Sequence, residues 1–311
     1  VALSEARGWA RGATLYITME PCCHWGRTGP CTEAILAAGI KRVVIGSIDP
    51  NPLVSGKGVR ELRRTGVKVT MNVLAEEAKK LNEAYYTFMR TGRPFVTMKA
   101  ALSMDGRIAT GRGESHWITG DKARAFVHLL RRRADAVMVG IGTVLADDPQ
   151  LSVRHGKEVD DEVNPLKVIL DSRLRISEDA QVLRHESWKT IVATTNRAPE
   201  RKIEKLCSMG VQVLTLFSRN GRVNIRALLT ELGKRNVQNL LIEGGARVFA
   251  SFMGDHLVNK AFIFLAPVFL GEGIPLFRGW EARKLKDAPV LTDMKVSRLG
   301  RDILCEGYLK Q

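Results

Sequence analysis

Glu20-Pro21-Cys22-Cys23-His24-Trp25-Gly26-Arg27-Thr28-Gly29-Pro30-Cys31 is the stretch on which the reading of this chain turns. The apolar run 13–19 that enters it reads as a strand, and 32–38 after it reads as a helix. Cys22 and Cys31 therefore sit at a strand-to-helix turn, at the mouth of a sheet. Residues 41–47 and 67–73 are further strands, separated by a helix over 59–64 that Gly66 ends. Strands alternating with helices at this interval predict an α/β layer with a mostly parallel sheet, whose carboxyl strand ends host the chemistry. Asp49-Pro50-Asn51-Pro52 breaks the second strand at that same edge; turn formation and substrate contact are both open to Asp49 and Asn51.

Two thiols so placed suit a metal. Zinc hydrolases that deaminate nucleobases take a Pro-Cys…Cys pair from such a turn, a third His or Cys, and a Glu that is no ligand but carries protons. Three protein ligands leave one position for water, which ionises near neutrality and attacks the amidine carbon. The competing reading is a pair of free cysteines in a reducing compartment. Glu20-Pro21 before Cys22 and Pro30 before Cys31 favour the metal. Adjacent Cys22 and Cys23 rarely bind one ion, and His24 is better placed to face a substrate.

The 311 residues, 45% of them apolar, suggest two domains at roughly 100–200 residues each. No window approaches the ~18 apolar residues of a membrane span. Five cysteines, an odd number, fit a cytosolic protein without disulfides, with Cys207 and Cys305 as small core residues. The formal charge of +15 is spread evenly: 13 basic and 8 acidic groups in residues 1–92, 35 and 25 in the rest. That pattern excludes a basic nucleic-acid tail and suits attraction of phosphorylated small molecules.

A helical segment over 75–89 leads into Arg90-Thr91-Gly92-Arg93-Pro94, a polar joint where the domain boundary is placed, giving domains 1–92 and 93–311. The second domain opens with a strand over 95–102, then Ser103-Met104-Asp105-Gly106-Arg107, a helix over 121–132 and a strand over 136–141. Later strands are 167–171, 190–194, 211–216, 239–243 and 260–265, with a final pair near 294–298 and 303–309; this order predicts a mixed sheet. Leu240-Leu241-Ile242-Glu243-Gly244-Gly245-Ala246 ends a strand at two glycines and starts a helix, an arrangement that can receive a dinucleotide's phosphates or simply cap the helix.

Glu20 to Cys31, followed by Ile48-Asp49-Pro50-Asn51-Pro52-Leu53-Val54-Ser55-Gly56-Lys57-Gly58, closely resembles the deaminase domain of the RibD family of bifunctional riboflavin-biosynthesis proteins. The family patterns are E-P-C-S-H-x-G-R-T-P-P-C and D-P-N-P-x-V-x-G-x-G. Cys23 stands in place of the usual Ser and Gly29 in place of the usual Pro. The Ser115-His116-Trp117-Ile118-Thr119 segment resembles the reductase half, and the resemblance runs through essentially all 311 residues. It implies a cytidine-deaminase-like three-layer domain followed by a dihydrofolate-reductase-like α/β domain, one deaminating a pyrimidine ribosyl phosphate with zinc and the other reducing the product with NADPH.

Carried over by position, Cys22 and Cys31 would bind zinc. Ala101, Trp117, Thr143, Asp147, Ser172 and the run Gly245, Ala246, Arg247, Val248, Phe249, Ala250, Ser251 would line NADPH. Ser115, Arg131, Leu151, Arg154 and Glu243 would contact substrate, with Arg131 and Arg154 as charged forks for its 5′-phosphate. Lys99, unusual in an apolar strand, and Asp147 are the expected catalytic assistants, and Trp117 is open between core and nicotinamide wall. The family's third zinc ligand and proton-carrying Glu come from a His-Ala-Glu motif just ahead of a segment like 1–6. No H-x-E occurs here, so the expectation is an incomplete N-terminus, with the deamination centre unfinished in this chain. Glu5 is expected on a helix face and Glu20 as an anchor of substrate or loop. A small-molecule substrate, no nucleic acid, no membrane, a homo-oligomer and a cytoplasmic location, or a plastid one behind a lost transit peptide, complete the expectation. A nucleic-acid deaminase would need P-C-x-x-C and a degenerate scaffold would lack His and Glu in the intact protein; the first pattern is absent.

Overall fold

The computed structural model describes residues 1–26, 28–154, 164–184 and 186–310, which fall into two compact units, Val1–Gly92 and Arg93–Gln311. In the first, strands β1 (Thr14–Met19), β2 (Arg42–Ser47) and β3 (Lys68–Thr70) form a parallel sheet in that order. Its helices are α1 (Ala2–Ala6), α2 (Cys31–Ala37), α3 (Lys57–Arg64), α4 (Ala75–Leu81) and α5 (Glu83–Thr91). Alternation along β2 serves two layers at once. Val43 and Ile45 pack with Ile35 of α2 and Val59 and Leu62 of α3. Gly46 lets α4 close on the other face, since a Cβ there would come within 2.5 Å of the Ala78 methyl. The single helix expected over 75–89 is divided at Asn82, whose φ of −118° and ψ of 24° leave the helical region while its side-chain amide donates to the Ala78 carbonyl at 3.1 Å.

Glu20, directly after β1, is a loop anchor. Its buried carboxylate accepts the amides of Gly56 at 2.8 Å, Val59 at 3.1 Å and Asp49 at 3.4 Å. Gly58 permits the close approach of α3 to this turn, because a Cβ there would lie 2.1 Å from the Pro21 carbonyl oxygen. The Gly56-Lys57-Gly58 spacing thus docks one helix onto the turn that carries Cys22. Glu20→Gln puts an NH₂ donor where amide donors converge. It is expected to lower stability by about 1–3 kcal/mol in urea unfolding; an unchanged midpoint would show that these three bonds are dispensable.

The second unit contains β4 (Phe95–Ser103), β5 (Arg107–Ala109), α6 (Asp121–Arg132), β6 (Ala136–Gly140), α7 (Ile141–Asp147), β7 (Leu166–Leu170), α8 (Gln181–Arg184) and β8 (Thr190–Thr194). Then come α9 (Glu200–Ser208), β9 (Gln212–Thr215), the hairpin β10 (Ser218–Arg219) and β11 (Arg222–Val223), α10 (Ile225–Lys234), β12 (Asn239–Gly244) and α11 (Ala246–Gly254). β13 (Lys260–Ala266), β14 (Ile274–Pro275), β15 (Val290–Leu299) and β16 (Asp302–Lys310) finish it. Nine strands form one sheet in the order β15-β16-β13-β4-β12-β6-β7-β8-β9. It is parallel from β13 to β9, while β16 runs antiparallel to both β13 and β15. This is the mixed sheet expected from the chain order.

Each face of the sheet has its own core. Val96, Met98, Ala100 and Ile242 pack with Leu228 of α10 and Phe252 of α11; Val137, Val139, Leu241 and Ile169 pack with Val127 and Leu130 of α6. Two expectations are corrected. The sequence reading runs β6 through Ile141 and gives no helix after it, whereas the strand ends at Gly140 and Ile141–Asp147 forms α7, held by burial of Ile141 and Val144. Cys207 is exposed on α9 beside the buried Leu206, so it is no core residue.

Candidate functional site

At the turn after β1 the two cysteine sulfurs lie 3.1 Å apart, and the Cys31 amide donates to Cys22 Sγ at 3.3 Å. Both are free thiols. Burial, reinforced by the neighbouring Cys22 thiol, pushes the Cys31 thiol up. Zinc–sulfur bonds of about 2.3 Å at a tetrahedral angle set two thiolates about 3.8 Å apart, so a small opening of this pair would seat an ion. Among the described residues no third His, Cys, Asp or Glu joins them in a metal-binding group. The pair therefore fits zinc as part of a ligand set, and no deamination step follows from it alone. His24 adjoins the pair, with a buried Nδ1 that has no hydrogen-bond partner among the described residues. Arg27 of the motif lies outside them. Asp49 is absorbed by the fold: its Oδ1 accepts the Asn51 amide at 2.8 Å and the Tyr85 hydroxyl at 3.0 Å. Burial and that carboxylate push the Tyr85 phenol up to about 12.

In the second unit a cleft of about 1280 Å³ runs along the carboxyl ends of β4, β12, β6, β7 and β8. Register explains its centre. Ile242 pairs with Met98, so Glu243 comes level with Lys99. Against β6 the pairing slips between Ile242 and Gly244, a bulge that leaves Glu243 as the extra residue. Arg131, from the last turn of α6, reaches this carboxylate with both prongs: Nε to Oε1 at 2.5 Å and Nη2 to Oε2 at 2.7 Å. Its third nitrogen, Nη1, donates to the Ser152 carbonyl at 2.9 Å.

These three charges set one another. Burial depresses the Lys99 ammonium, Glu243 opposes that, and Arg131 adds to it. Burial alone would raise Glu243, but Arg131 beside it, helped by Lys99 and His128, holds the carboxyl below its usual range. Lys99 opens onto the cleft while protein surrounds it on every other side, which makes it a lysine that gives up its proton readily.

The glycine turn follows at once. Gly245 has φ +102°, a conformation that side chains other than glycine's rarely adopt, and a Cβ at Gly244 would lie 2.9 Å from Thr143 Oγ1 of α7. Both glycines are therefore required for α7 and the amino end of α11 to meet at the cleft floor. Ser115 Oγ donates to Asp147 Oδ1 at 2.7 Å, joining two expected site residues. Trp117 is 67% exposed with the Arg124 guanidinium 4.6 Å from its ring, so it is cleft wall and not core.

Lys99, Ala101, Ser115, Trp117, Arg131, Thr143, Asp147, Leu151, Arg154, Ser172 and Glu243 all line this one cleft, as do Gly245–Phe249 and Ser251. Ala250 does not: it is buried in the core on the inner side of α11. Arg131 is spent on Glu243 and the Ser152 carbonyl, whereas Arg154, exposed at the mouth, donates its Nε to Ser152 Oγ at 3.3 Å and lines the cleft. His128, whose Nδ1 accepts the Arg154 amide at 3.1 Å, and the arginines 173, 175, 197 and 222 are further lining residues that no sequence motif marks.

Residues 94–305 match the RibD C-terminal domain, and the chain is 42% identical over 304 residues to riboflavin biosynthesis protein RibD of Aquifex aeolicus, covering 98% of this chain and 83% of that protein. The chain belongs to the RibD family. Residues 1–47 match the cytidine and deoxycytidylate deaminase zinc-binding region. RibD of Escherichia coli is 34% identical over 318 residues, covering 97% of this chain and 83% of its own length. Among solved structures, Acinetobacter baumannii RibD superposes with a TM-score of 0.88 at 37% identity, over 100% of this chain and 84% of that one. A deaminase/reductase from Thermotoga maritima superposes at 0.81, also 37% identical, over 99% and 83%. As a RibD-family member the chain pairs a deaminase-type domain with a reductase domain and serves riboflavin biosynthesis. Among the described residues no helix is long and apolar enough to cross a membrane.

Proposed function

We propose that the second unit uses NADPH to reduce 5-amino-6-(5-phosphoribosylamino)uracil, the compound named for the Thermotoga maritima relative, to its ribitylamino product. The observation that carries this reading is the Lys99, Glu243 and Arg131 cluster standing directly before the Gly244-Gly245 turn in one cleft. A dihydronicotinamide bound there supplies the hydride for the ribose C1′. Lys99, depressed by burial, gives its proton to the ribose ring oxygen as the C1′–O bond breaks. The exocyclic nitrogen keeps its hydrogen and shares its lone pair with C1′, which leaves that carbon electrophilic. Glu243, fixed by Arg131, orients Lys99 and accepts hydrogen bonds from the pyrimidine on its remaining lone pairs. Arg154 meets the 5′-phosphate, and Trp117 with Asp147 and Ser115 forms the opposite wall that keeps water out.

For the first unit the reading is deamination of the diaminopyrimidine ribosyl phosphate, with Cys22 and Cys31 as two of the zinc ligands. Supplying the uracil phosphate with NADPH and following the loss of dihydronicotinamide absorbance tests the reductase assignment, and absence of turnover removes it. A homo-oligomer belongs to the same reading. Val290, Met294 and Val296, exposed along the sheet-edge strand β15, support it, and a monomer by light scattering would refute it.

A further inference from the structure

The cleft wall that carries Trp117 rests on a support outside the cleft. Its segment, residues 115–120, is pinned at one end by the Ser115 bond to Asp147 of α7. At the other end Gly120 and Ile118 are gripped by residues 182 and 183 positions further along the chain, in the turn between β15 and β16.

Local rules shape that turn. Leu299 and Asp302 are register partners, so Gly300 and Arg301 alone reverse the chain, and Gly300 takes φ +67°, the positive φ that two-residue hairpin turns demand. Arg301 and Asp302 thereby come off the sheet edge onto the start of α6. Asp302 is fully buried, and its Oδ2 accepts the Gly120 amide at 2.8 Å. Its Oδ1 has no hydrogen-bond partner among the described residues, with Arg301 Nε 3.7 Å away. Arg301, itself exposed, donates from Nη2 to the Ile118 carbonyl at 3.1 Å. With no side chain at Gly120 the hairpin lies directly against the backbone; a Cβ there would stand 3.4 Å from Asp302 Oδ2 and 3.6 Å from Arg301 Nε.

A carboxylate so buried has lost its hydration, and one amide with one guanidinium beside it offsets only part of that cost. What the arrangement does fix is where residues 118–120 stand. The effect reaches Trp117. His116 stacks on its indole at 4.9 Å, and the Arg124 guanidinium on its ring also donates from Nη1 to the Thr119 carbonyl at 2.8 Å. Both neighbours belong to the segment or to the first turn of α6, so the ring goes where the segment goes. Trp117, Ile118 and Thr119 line the cleft, whereas Arg301 and Asp302 stand behind it.

We propose that Arg301 and Asp302 are positioning residues for the reduction: they touch neither substrate nor cofactor and act through Trp117, holding the wall where the two ligands must align. This rests on the reductase reading. The full chain and its Arg301→Ala, Trp117→Ala and double variants are assayed with the uracil phosphate and NADPH, alongside urea unfolding. Arg301 lies at the surface, so its loss is expected to leave the urea midpoint in place. It should nevertheless lower kcat by about 10-fold or more, since a misplacement of ~1 Å far from the chemistry can cost ~10²-fold. Because Arg301 works through Trp117, the double variant should be no slower than Trp117→Ala alone. Arg301→Lys, which keeps a charged donor for the Ile118 carbonyl, should recover part of the rate. Asp302→Asn, which keeps an acceptor for the Gly120 amide, should retain more of kcat than Asp302→Ala. Wild-type kcat in Arg301→Ala overturns the positioning role, and so do losses that multiply in the double variant. A rate loss matched by a fallen midpoint overturns it as well, since it would assign the hairpin to stability alone. A wild-type chain without turnover removes the reductase reading, and the positioning role with it.

Discussion

Arg131→Ala is expected to unfold the second unit more easily by about 3–5 kcal/mol and to cut the reductase kcat/KM at least ~100-fold. The side chains of Arg131 and Glu243 are only 14% and 6% exposed, so removal of the guanidinium strands a carboxylate in protein with Lys99 and His128 as its remaining favourable neighbours. It also frees the Ser152 carbonyl and with it the segment that bears Arg154. Arg131→Met combined with Glu243→Leu should recover much of the stability, because no charge is left buried, while activity stays lost. The pH dependence has a definite sign. Glu243 is held below its ordinary value, so the pair contributes fully above the unfolded carboxylate range, near ~4.3, and loses its contribution as pH falls through the lower folded value. That acid limb should flatten in Arg131→Ala. A variant with wild-type urea midpoint and turnover would show that the pair neither holds the cleft nor orients the chemistry.

Lys99→Met is expected to leave the fold intact and to lower reductase turnover by about 10²–10⁴-fold, the usual range for a lost proton donor. Methionine keeps most of the aliphatic stem while removing a buried ammonium. The Lys99 value is depressed, so between its folded and unfolded values the unfolded chain binds more protons and stability rises with pH. Lys99→Met should lose that slope and be no less stable at neutral pH. Wild-type turnover should decline as pH rises through the depressed value, since the proton donor is then missing, and the variant's residual rate should not follow that limb. Full activity in Lys99→Met would transfer proton donation to Asp147, which lines the same cleft.

Much of this architecture is legible in one dimension because it depends on local rules. The strand-to-helix turn at Cys22, a helix over 59–64 that lies within α3, and the strand, Gly244-Gly245 and helix succession all come from apolar periodicity interrupted by glycine and proline. The order of those motifs is what carries the family resemblance. Glu20 shows where local reading stops. Sequence leaves it between substrate and loop; the Gly56 and Val59 amides, more than thirty positions away, converge on its carboxylate and make it a loop anchor.

By itself the sequence determined that the chain has a two-thiol turn, a later glycine turn at a strand end, and a mixed sheet, because each is written in neighbouring residues. Only the tertiary structure decided that Arg131 is bound to Glu243 while Arg154 lines the same cleft, that Trp117 is wall, that Ala250 is core, and that Arg173, Arg197 and Arg222 line one cleft. The reason is strand order. β4 and β12 are neighbours although Phe95 and its register partner Asn239 stand 144 positions apart (239 − 95), and charges so far apart in the chain acquire their partners only once the sheet has set its register.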